Sequence, residues 1–577
     1  MSDTKRIILA GSLITFLLLL LPYYLNLIGY VDYGDSEPEI GKKKNSSLHP
    51  SVDFDSNMGL DSKNFKSNNS NVVASNEPSK KQETLFTITT SKYLAKASNS
   101  GGGSLTSYSI IENLPQYKGG YDFSGEYNDS SNVELILNNG ALCAPCVEIK
   151  TSTSSFVLND PFEIKKSSYG QSAWFLNEED SLVLEFRFSN NQFSLIKLVT
   201  FYGNSFVINH DIKIIDSLDP GLVVGLVWDK GLRPSEKNIV DDVSYAHASL
   251  AKEKNIESLS FSPSSELEKK EALFIQEVDW AAIRTKYFLM AMLPTQKESV
   301  SASVLGRAYK LQENVFVPSF VASLHKKAPQ LNCDIYLGPL DLDYIQELSP
   351  YLDRIMNFGW FLLQPFSRSV LWLLKFLHSF GLNYGVILIL FAFFVRIVTG
   401  PLTKKSHLSA QKMQAIQPKL KKIQEKYKKN PQKLNQETIA LYKESGTNPL
   451  GGCLPMLVQM PLLFALFIVF RSTIEFRGAP FFGWISNLSQ PDTIVYLPWN
   501  IPIYGDQIAF LPILLGITMF LSQSISAATM DSKQKPLMYI MTGFFFLIFN
   551  SFPSGLNLYY VVYNLLNYLQ QKSLKKA

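Results

Sequence analysis

Cysteine is scarce in this chain. Cys143, Cys146, Cys333 and Cys453 are the only four in 577 residues, too few for a disulfide scaffold. Histidine is scarce as well, with six residues, and no HExxH pair, nucleophile elbow or phosphate-binding loop occurs. Hydrolytic zinc sites, serine hydrolases and nucleotide-dependent enzymes each need one of these arrangements, so no enzyme activity, metal or cofactor is expected. The run Gly101-Gly102-Gly103 is a turn signal rather than a nucleotide fingerprint. A strong excess of one charge is also missing: the formal net charge is +4, and no basic run is interleaved with aromatics. Nucleic acid is therefore not an expected partner.

Long stretches lack charge altogether, and these define the chain. After Lys5 and Arg6 no charge occurs from Ile7 to Val31, long enough to cross about 30 Å of hydrocarbon. A cleaved signal peptide is the competing reading. The run passes through Pro22, Tyr23 and Tyr24 without a small-residue cleavage site before Asp32, which favours a retained anchor over residues 1–31. Further on, Arg396 is the only full charge between Lys375 and Lys404, and charge-free windows run from Ser445 to Phe470, Gln507 to Met530 and Pro536 to Gln571. Phe552-Pro553-Ser554-Gly555 divides the last window into a tight hairpin of two short arms. Six crossings result, and the polytopic core occupies residues 381–577.

The charges between the spans set the orientation. From Lys404 to Glu444 eleven lysines face three glutamates, so this segment is expected in the cytoplasm. Within it Met413, Ile416, Leu420, Ile423 and Tyr427 recur at helical spacing, Asn430-Pro431 turns the chain, and Leu434, Thr438 and Leu441 continue. The pattern predicts a cytoplasmic helical hairpin over 404–447. Its lysines, Lys419, Lys421, Lys422 and Lys426 among them, are read either as a solvated face that enforces topology or as a contact for substrate, lipid or ribosome. The loop from Arg471 to Asp506 belongs outside, and both termini inside.

Between the anchor and the core lies a wet region. Residues 32–82 are rich in Ser, Asn, Lys and Asp and read as a flexible linker. Over residues 83–345 the period becomes two: Leu182, Leu184, Phe186 and Phe188 share one face, as do Phe206, Ile208, His210, Ile212 and Ile214. A large antiparallel sandwich is expected, with turns at Gly101 to Gly103 and Asn138-Asn139-Gly140 and with His210 satisfied in the core. Cys143 and Cys146 have the spacing of a redox pair but strand-like flanks, which favours a small structural disulfide or two idle thiols. Residues 346–380 carry an amphipathic helix, its stripe formed by Leu363, Phe366, Val370, Leu373, Leu374 and Leu377 with Ser367, Arg368 and Lys375 off it. Such a helix lies in the membrane interface, or else packs on the β-domain.

Arg396 carries the strongest mechanistic signal, because an arginine within a span is costly unless it pairs or meets water. Snorkelling toward the end of the span near Leu402 is the alternative. Gln459, Ser522, Gln523, Ser524, Asn557, Tyr559, Tyr560, Asn564 and Asn567 add polar groups in the other spans. They either line a wet cavity or act singly as glue between helices.

At these residues the chain resembles the YidC-type membrane protein insertases of the YidC/Oxa/Alb superfamily, in the Gram-negative form with a large periplasmic domain. The matching segments are FFVRIVTGPLTKKS at 393–406, NPLGGCLPMLVQMPLLFALF at 448–467 and FPSGLNLYYVVYNLLNYLQQ at 552–571, with YLGPLDLDYIQELSPYLD at 336–353 before them. The resemblance implies a six-span inner-membrane protein with a periplasmic β-supersandwich, an interfacial helix and a five-helix core enclosing a hydrophilic groove. In that pattern Arg396 is the groove arginine, Gln459 a groove glutamine, and Tyr560, with Tyr559 and Asn564 nearby, a groove position of the last span. It further implies that nascent membrane proteins are inserted and helped to fold without ATP, with the Sec translocon, the ribosome and the phospholipid bilayer as partners. A secondary transporter with an intramembrane arginine is the rival reading, though no internal repeat supports it. A membrane-anchored binding β-domain would leave the later spans unexplained.

Overall fold

The computed structural model describes residues 82–121, 127–137, 143–152, 154–165, 172–229, 231–261, 271–312, 315–428, 430–446, 454–501, 504–527 and 535–576. The expected anchor, the linker except Gln82, the Asn138-Asn139-Gly140 turn and Cys453 lie outside them.

From Leu85 to Pro339 the described chain is strand after strand, gathered into sheets of six, nine and six strands. At the heart of the nine-stranded sheet, Ser181–Ser189, Phe193–Tyr202, Val207–Ser217 and Gln330–Pro339 pair antiparallel in that order. The alternation works as expected there: Leu182, Leu184 and Phe186 are buried while Val183 is exposed, because successive side chains leave a strand on opposite faces. One pairing departs from the antiparallel rule, where Leu85–Thr89 runs parallel to Ala173–Phe175. Cys143 and Cys146 form a disulfide.

His210 corrects an expectation. It is buried on the apolar face, yet neither ring nitrogen has a hydrogen-bond partner among the described residues. Burial and the nearby charge of Lys197 push its pKa well below the ordinary value, so the ring is held neutral rather than satisfied. Lys197 is itself fully buried, and burial pulls its pKa down to about 7. Its ammonium donates to the carbonyls of Gly101 at 3.2 Å and Pro145 at 3.3 Å.

Past Pro339 the described chain is mostly helical: after a short helix at Leu342–Leu348 come α1 (Gln364–His378), α2 (Tyr384–Lys426), α3 (Pro431–Glu444), α4 (Leu454–Ser472), α5 (Phe510–Ala527), α6 (Lys535–Phe549) and α7 (Ser554–Lys576), with a strand pair of Thr493–Ile501 and Gly505–Ala509 between α4 and α5. The amphipathic segment is a helix only from Gln364, after a 3-10 turn at Leu352–Ile355. Gly359, at φ +85°, and Pro365 in the first turn delay its start. Its buried face is Ser367, Val370, Leu371 and Leu374, packed toward α4 and α2 rather than on the β-domain, and Phe366 points outward. α2 does not stop near Leu402; it runs on for 43 residues through Pro401 and Pro418. Asn383 begins it by accepting from the Gly385 amide, and Asn430 begins α3 by accepting from the Lys433 amide, with Pro431 in the first helical position. α7 packs against both α2 and α5.

Among the described residues, Tyr384–Met413 is the one helical segment long and apolar enough to cross a membrane. Met460–Ser472, Phe510–Ser524 and Met538–Phe549 are shorter apolar helices.

The β-domain is tied to one end of this bundle by charge. Arg477, which follows α4, is almost fully buried. It donates to Glu236 at 2.5 Å and to the carbonyls of Gln116, Lys118, Gly119 and Ser235, using all five guanidinium hydrogens. Arg471 pairs with Asp241, which Lys286 also meets at 2.7 Å. Against the cost of burial, these two cations hold the Asp241 carboxyl well below its usual range. Gly478, at φ +65°, lies so close to Pro115 that an added Cβ would fall 2.2 Å from its carbonyl oxygen. On α1, Lys375 bridges Asp341, Asp343 and Glu475.

Candidate functional site

α2 is built inside out relative to a soluble helix. Leu390, Phe393, Phe394, Ile397 and Val398 are exposed, Ile397 by 74% of its surface, while Arg396 is only 8% exposed. The arginine shares the inner face with Leu388, Ala392 and Val395, all buried. An apolar outer face and a cationic inner one suit a helix whose outer solvent is lipid.

The guanidinium has few partners. Its Nη1 donates to Thr403 Oγ1 at 3.4 Å, and its Cζ lies 5.7 Å from the Tyr563 ring. Among the described residues, Nε and Nη2 are buried without a hydrogen-bond partner. Burial without pairing in dry protein would cost several kcal/mol, about the penalty of desolvating an ion. No described side chain matches those donors, which leaves them open to water or to an arriving acceptor. The side chain runs toward the α3 end of α2, as snorkelling requires, but it ends inside the bundle against α7.

α7 supplies the facing wall. Tyr559, fully buried, has its ring 5.7 Å from Phe391, 4.9 Å from Tyr560 and 5.9 Å from Tyr563. Tyr560 is buried against Phe549, and its hydroxyl has no partner among the described residues. Asn564 is half-buried on the same helix. Gln459 lies on α4, but its side chain is outside the described residues.

Several of the other polar residues have structural roles instead. Asn567 donates to Ser522 at 2.8 Å, joining α7 to α5, and Thr542 bonds Gln523, joining α6 to α5. Ser524 returns its proton to the Leu521 carbonyl of its own helix. Asn557 holds the turn before α7 through the carbonyls of Phe549 and Phe552. Apart from the Ser524 bond within its own helix, these contacts follow the interhelical and turn-holding roles expected of small polar groups in apolar bundles. Thr403 and Tyr563, the two groups that touch Arg396, carry no sign of that role in the sequence beyond their helical spacing from Arg396 and Tyr559.

At the far end of α2, Lys419, Lys421, Lys422 and Lys426 are exposed. Ile416 and Leu441, both buried, mark the inner faces of α2 and α3. Lys426 and Lys433 flank the Tyr427 ring at the turn between them.

Residues 376–577 match the family described as 60Kd inner membrane protein, and residues 150–373 match the YidC periplasmic domain. A membrane protein insertase YidC of Chlorobium limicola is 39% identical over 401 residues, which is 67% of this chain and 67% of that protein. Those of Chlorobium phaeovibrioides and Chlorobaculum tepidum are each 38% identical, over 64% of this chain and 65% and 64% of their own lengths. The matched segments thus span about two thirds of these relatives. Among solved structures, an active YidC insertase with its first transmembrane domain resolved overlays 85% of this chain and 92% of its own, at 16% identity and a TM-score of 0.33. A galactose mutarotase related enzyme from Lactobacillus acidophilus overlays 44% of this chain and 97% of its own, at 12% identity and a TM-score of 0.27.

Proposed function

The chain belongs to the YidC family of membrane protein insertases, and on that footing we propose that it moves polar segments of nascent membrane proteins past the bilayer at a site centred on Arg396. The observation that carries this reading is the arginine's placement: buried on the inner face of α2, with two donors unmatched among the described residues, while the outer face of the same helix is exposed and apolar.

The chemistry is physical rather than covalent. A short polar segment of the substrate brings backbone carbonyls or carboxylates, and these accept from Arg396 as the segment leaves water. That lowers the desolvation cost which otherwise bars polar groups from hydrocarbon. The tyrosines of α7 form the opposite wall, with Asn564 extending it; Gln459 remains the groove glutamine that the family pattern implies. The substrate's apolar segment then passes between helices into lipid, and its hydrophobic gain drives the step without ATP.

The topology belongs to the same proposal: an inner-membrane protein with six spans including residues 1–31, both termini and the hairpin 404–447 in the cytoplasm, and the β-domain over 83–345 in the periplasm. Two observations support it. The end of α4 is bonded to the β-domain through Arg471 and Arg477, and the start of α2 and the turn before α7 are bonded to the loop that follows α4, through Asn383 to Pro480 and Ser554 to Gln490. The 43 residues of α2 then carry its lysine-rich end about 64 Å away along the helix. Exposed lysines there suit the ribosome and the anionic lipid surface, and the Sec translocon is a further partner on this reading.

Arg396→Lys is expected to keep most insertion activity, because the cation remains. Arg396→Ala should lower insertion of substrates with charged translocated segments by about tenfold or more, as expected when a buried charged donor is lost, with protein abundance unchanged. Full activity of Arg396→Ala across such substrates is the result that counts against the proposal.

A further inference from the structure

In the segment that joins the β-domain to α1, an open cavity of about 780 Å³ is lined by Tyr351, Asp353, Arg354, Phe358, Gln364 and Arg368, among others. Its charge is unbalanced: two arginines against one carboxylate. Arg368 pairs with Asp353 at 2.5 Å and lies over the Phe358 ring. Arg354 is exposed, its contacts among the described residues being the Tyr351 ring at 4.6 Å and the Lys254 carbonyl at 3.2 Å. One of the two cations therefore has no anion among the described residues.

The same corner carries an apolar face that no described part of the chain covers. Trp360, Phe361 and Phe366, then Trp372, Phe376 and Phe380, are exposed by 47% to 82%. At 100° per residue, Phe366, Trp372 and Phe376 fall on the side of α1 opposite Ser367, Leu371 and Leu374, which pack inward, and Phe380 follows just past the helix end. Arg368 sits on the flank between the two faces. Aromatic rings beside arginines are the composition of a helix lying at the boundary of headgroups and acyl chains.

We propose that this cavity holds the headgroup of an anionic phospholipid of the outer leaflet, its phosphate bound by Arg354 and Arg368 while its acyl chains run along the aromatic face of α1. A free anion satisfies the arginines but leaves the rings in water. A zwitterionic lipid covers the rings but brings no net charge to balance the second arginine. Only an anionic lipid meets both demands, with a planar guanidinium fork suited to a phosphate. The inference rests on the membrane placement of the chain and not on what Arg396 does.

The test uses the full-length protein in neutral detergent, with bound lipid counted by native mass spectrometry. Phosphatidylglycerol and phosphatidylcholine of identical acyl chains are titrated, with and without millimolar inorganic phosphate. Phosphatidylglycerol should be retained about tenfold more tightly than phosphatidylcholine, as two cations near a headgroup imply. The preference should vanish in Arg354→Gln/Arg368→Gln, survive in Arg368→Lys, and resist inorganic phosphate. Because Arg368 also pairs with Asp353, Arg354→Gln alone is the control for misfolding: it should melt like the parent and still lose most of the preference. Equal retention of the two lipids, an unchanged preference in the double and Arg354→Gln variants, or displacement by inorganic phosphate would each overturn the proposal.

Discussion

Among single residues, the polar groups that matter are those whose partners are fully counted. Arg477 is the extreme case: it is buried and all five of its donors are used, four of them on backbone carbonyls of the β-domain. Arg477→Ala leaves Glu236 buried without its partner, a loss of about 3–5 kcal/mol. Arg477→Lys should do only slightly better, because an ammonium has three donors and no fork. The expected outcome is a lower melting temperature, with proteolysis appearing between the β-domain and α4. A variant that melts with the parent would show that the junction is incidental.

A second prediction at this level concerns Glu148, whose carboxylate bonds His325 at 2.6 Å and accepts from Ser155 at 2.7 Å. Burial pushes its pKa up, but His325, Ser155 and Lys150 outweigh that and hold it at about 2 against an ordinary 4.5. Above pH 4.5 the carboxylate is ionised both folded and unfolded, and its contribution, about 3 kcal/mol for a shift of this size, is fully present. Between 4.5 and 2 the unfolded chain takes up the proton first, so that stability is lost. In Glu148→Gln the acid-side decline of the β-domain melting temperature should be shallower over that window. A decline as steep as the parent's would contradict the assignment.

Among the elements, much was legible because one face of each meets a different solvent. Leu182, Leu184 and Phe186 declared their strand by alternation, and the Asn430-Pro431 pair declared the start of α3. The start of α1 was hidden, since apolar spacing continues through residues 350–363 where Gly359 turns the chain. Its buried face departs from the apolar stripe because Ser367, being small, packs where a large residue would not. Local signals do predict local cost. Asn430→Ala removes the cap on the Lys433 amide, and should fray the first turn of α3 by about 1 kcal/mol, read as faster hydrogen exchange at residues 431–434 with the core unchanged. Equal exchange rates in the two proteins would mean that the cap does not hold the hairpin.

For the molecule entire, the sequence carries a proposal of sidedness but no sign of contact. Eleven lysines between Lys404 and Glu444 announce one face of a membrane. The pairing of Arg471 and Arg477 with Asp241 and Glu236, more than 200 residues away, carries no local signature. The proposed groove was legible only in part for the same reason: Arg396 stood out as a lone charge, whereas the contacts that make Ser522, Asn557 and Asn567 structural depend on packing. What remains at the centre is a cation facing aromatic residues of α7, inside a helix whose outer face is apolar. Photo-crosslinking distinguishes the two sides of that helix as a path for substrate. A photoreactive phenylalanine analogue replaces Tyr560 in one protein and the outward-facing Ile397 in another, and a ribosome-stalled membrane protein with a short polar leading segment is presented to each. Crosslinks from position 560 to the polar segment, with lipid alone captured at 397, are the expected outcome. Capture of the polar segment at 397 and not at 560 would place the path on the lipid side of α2 and refute a groove centred on Arg396.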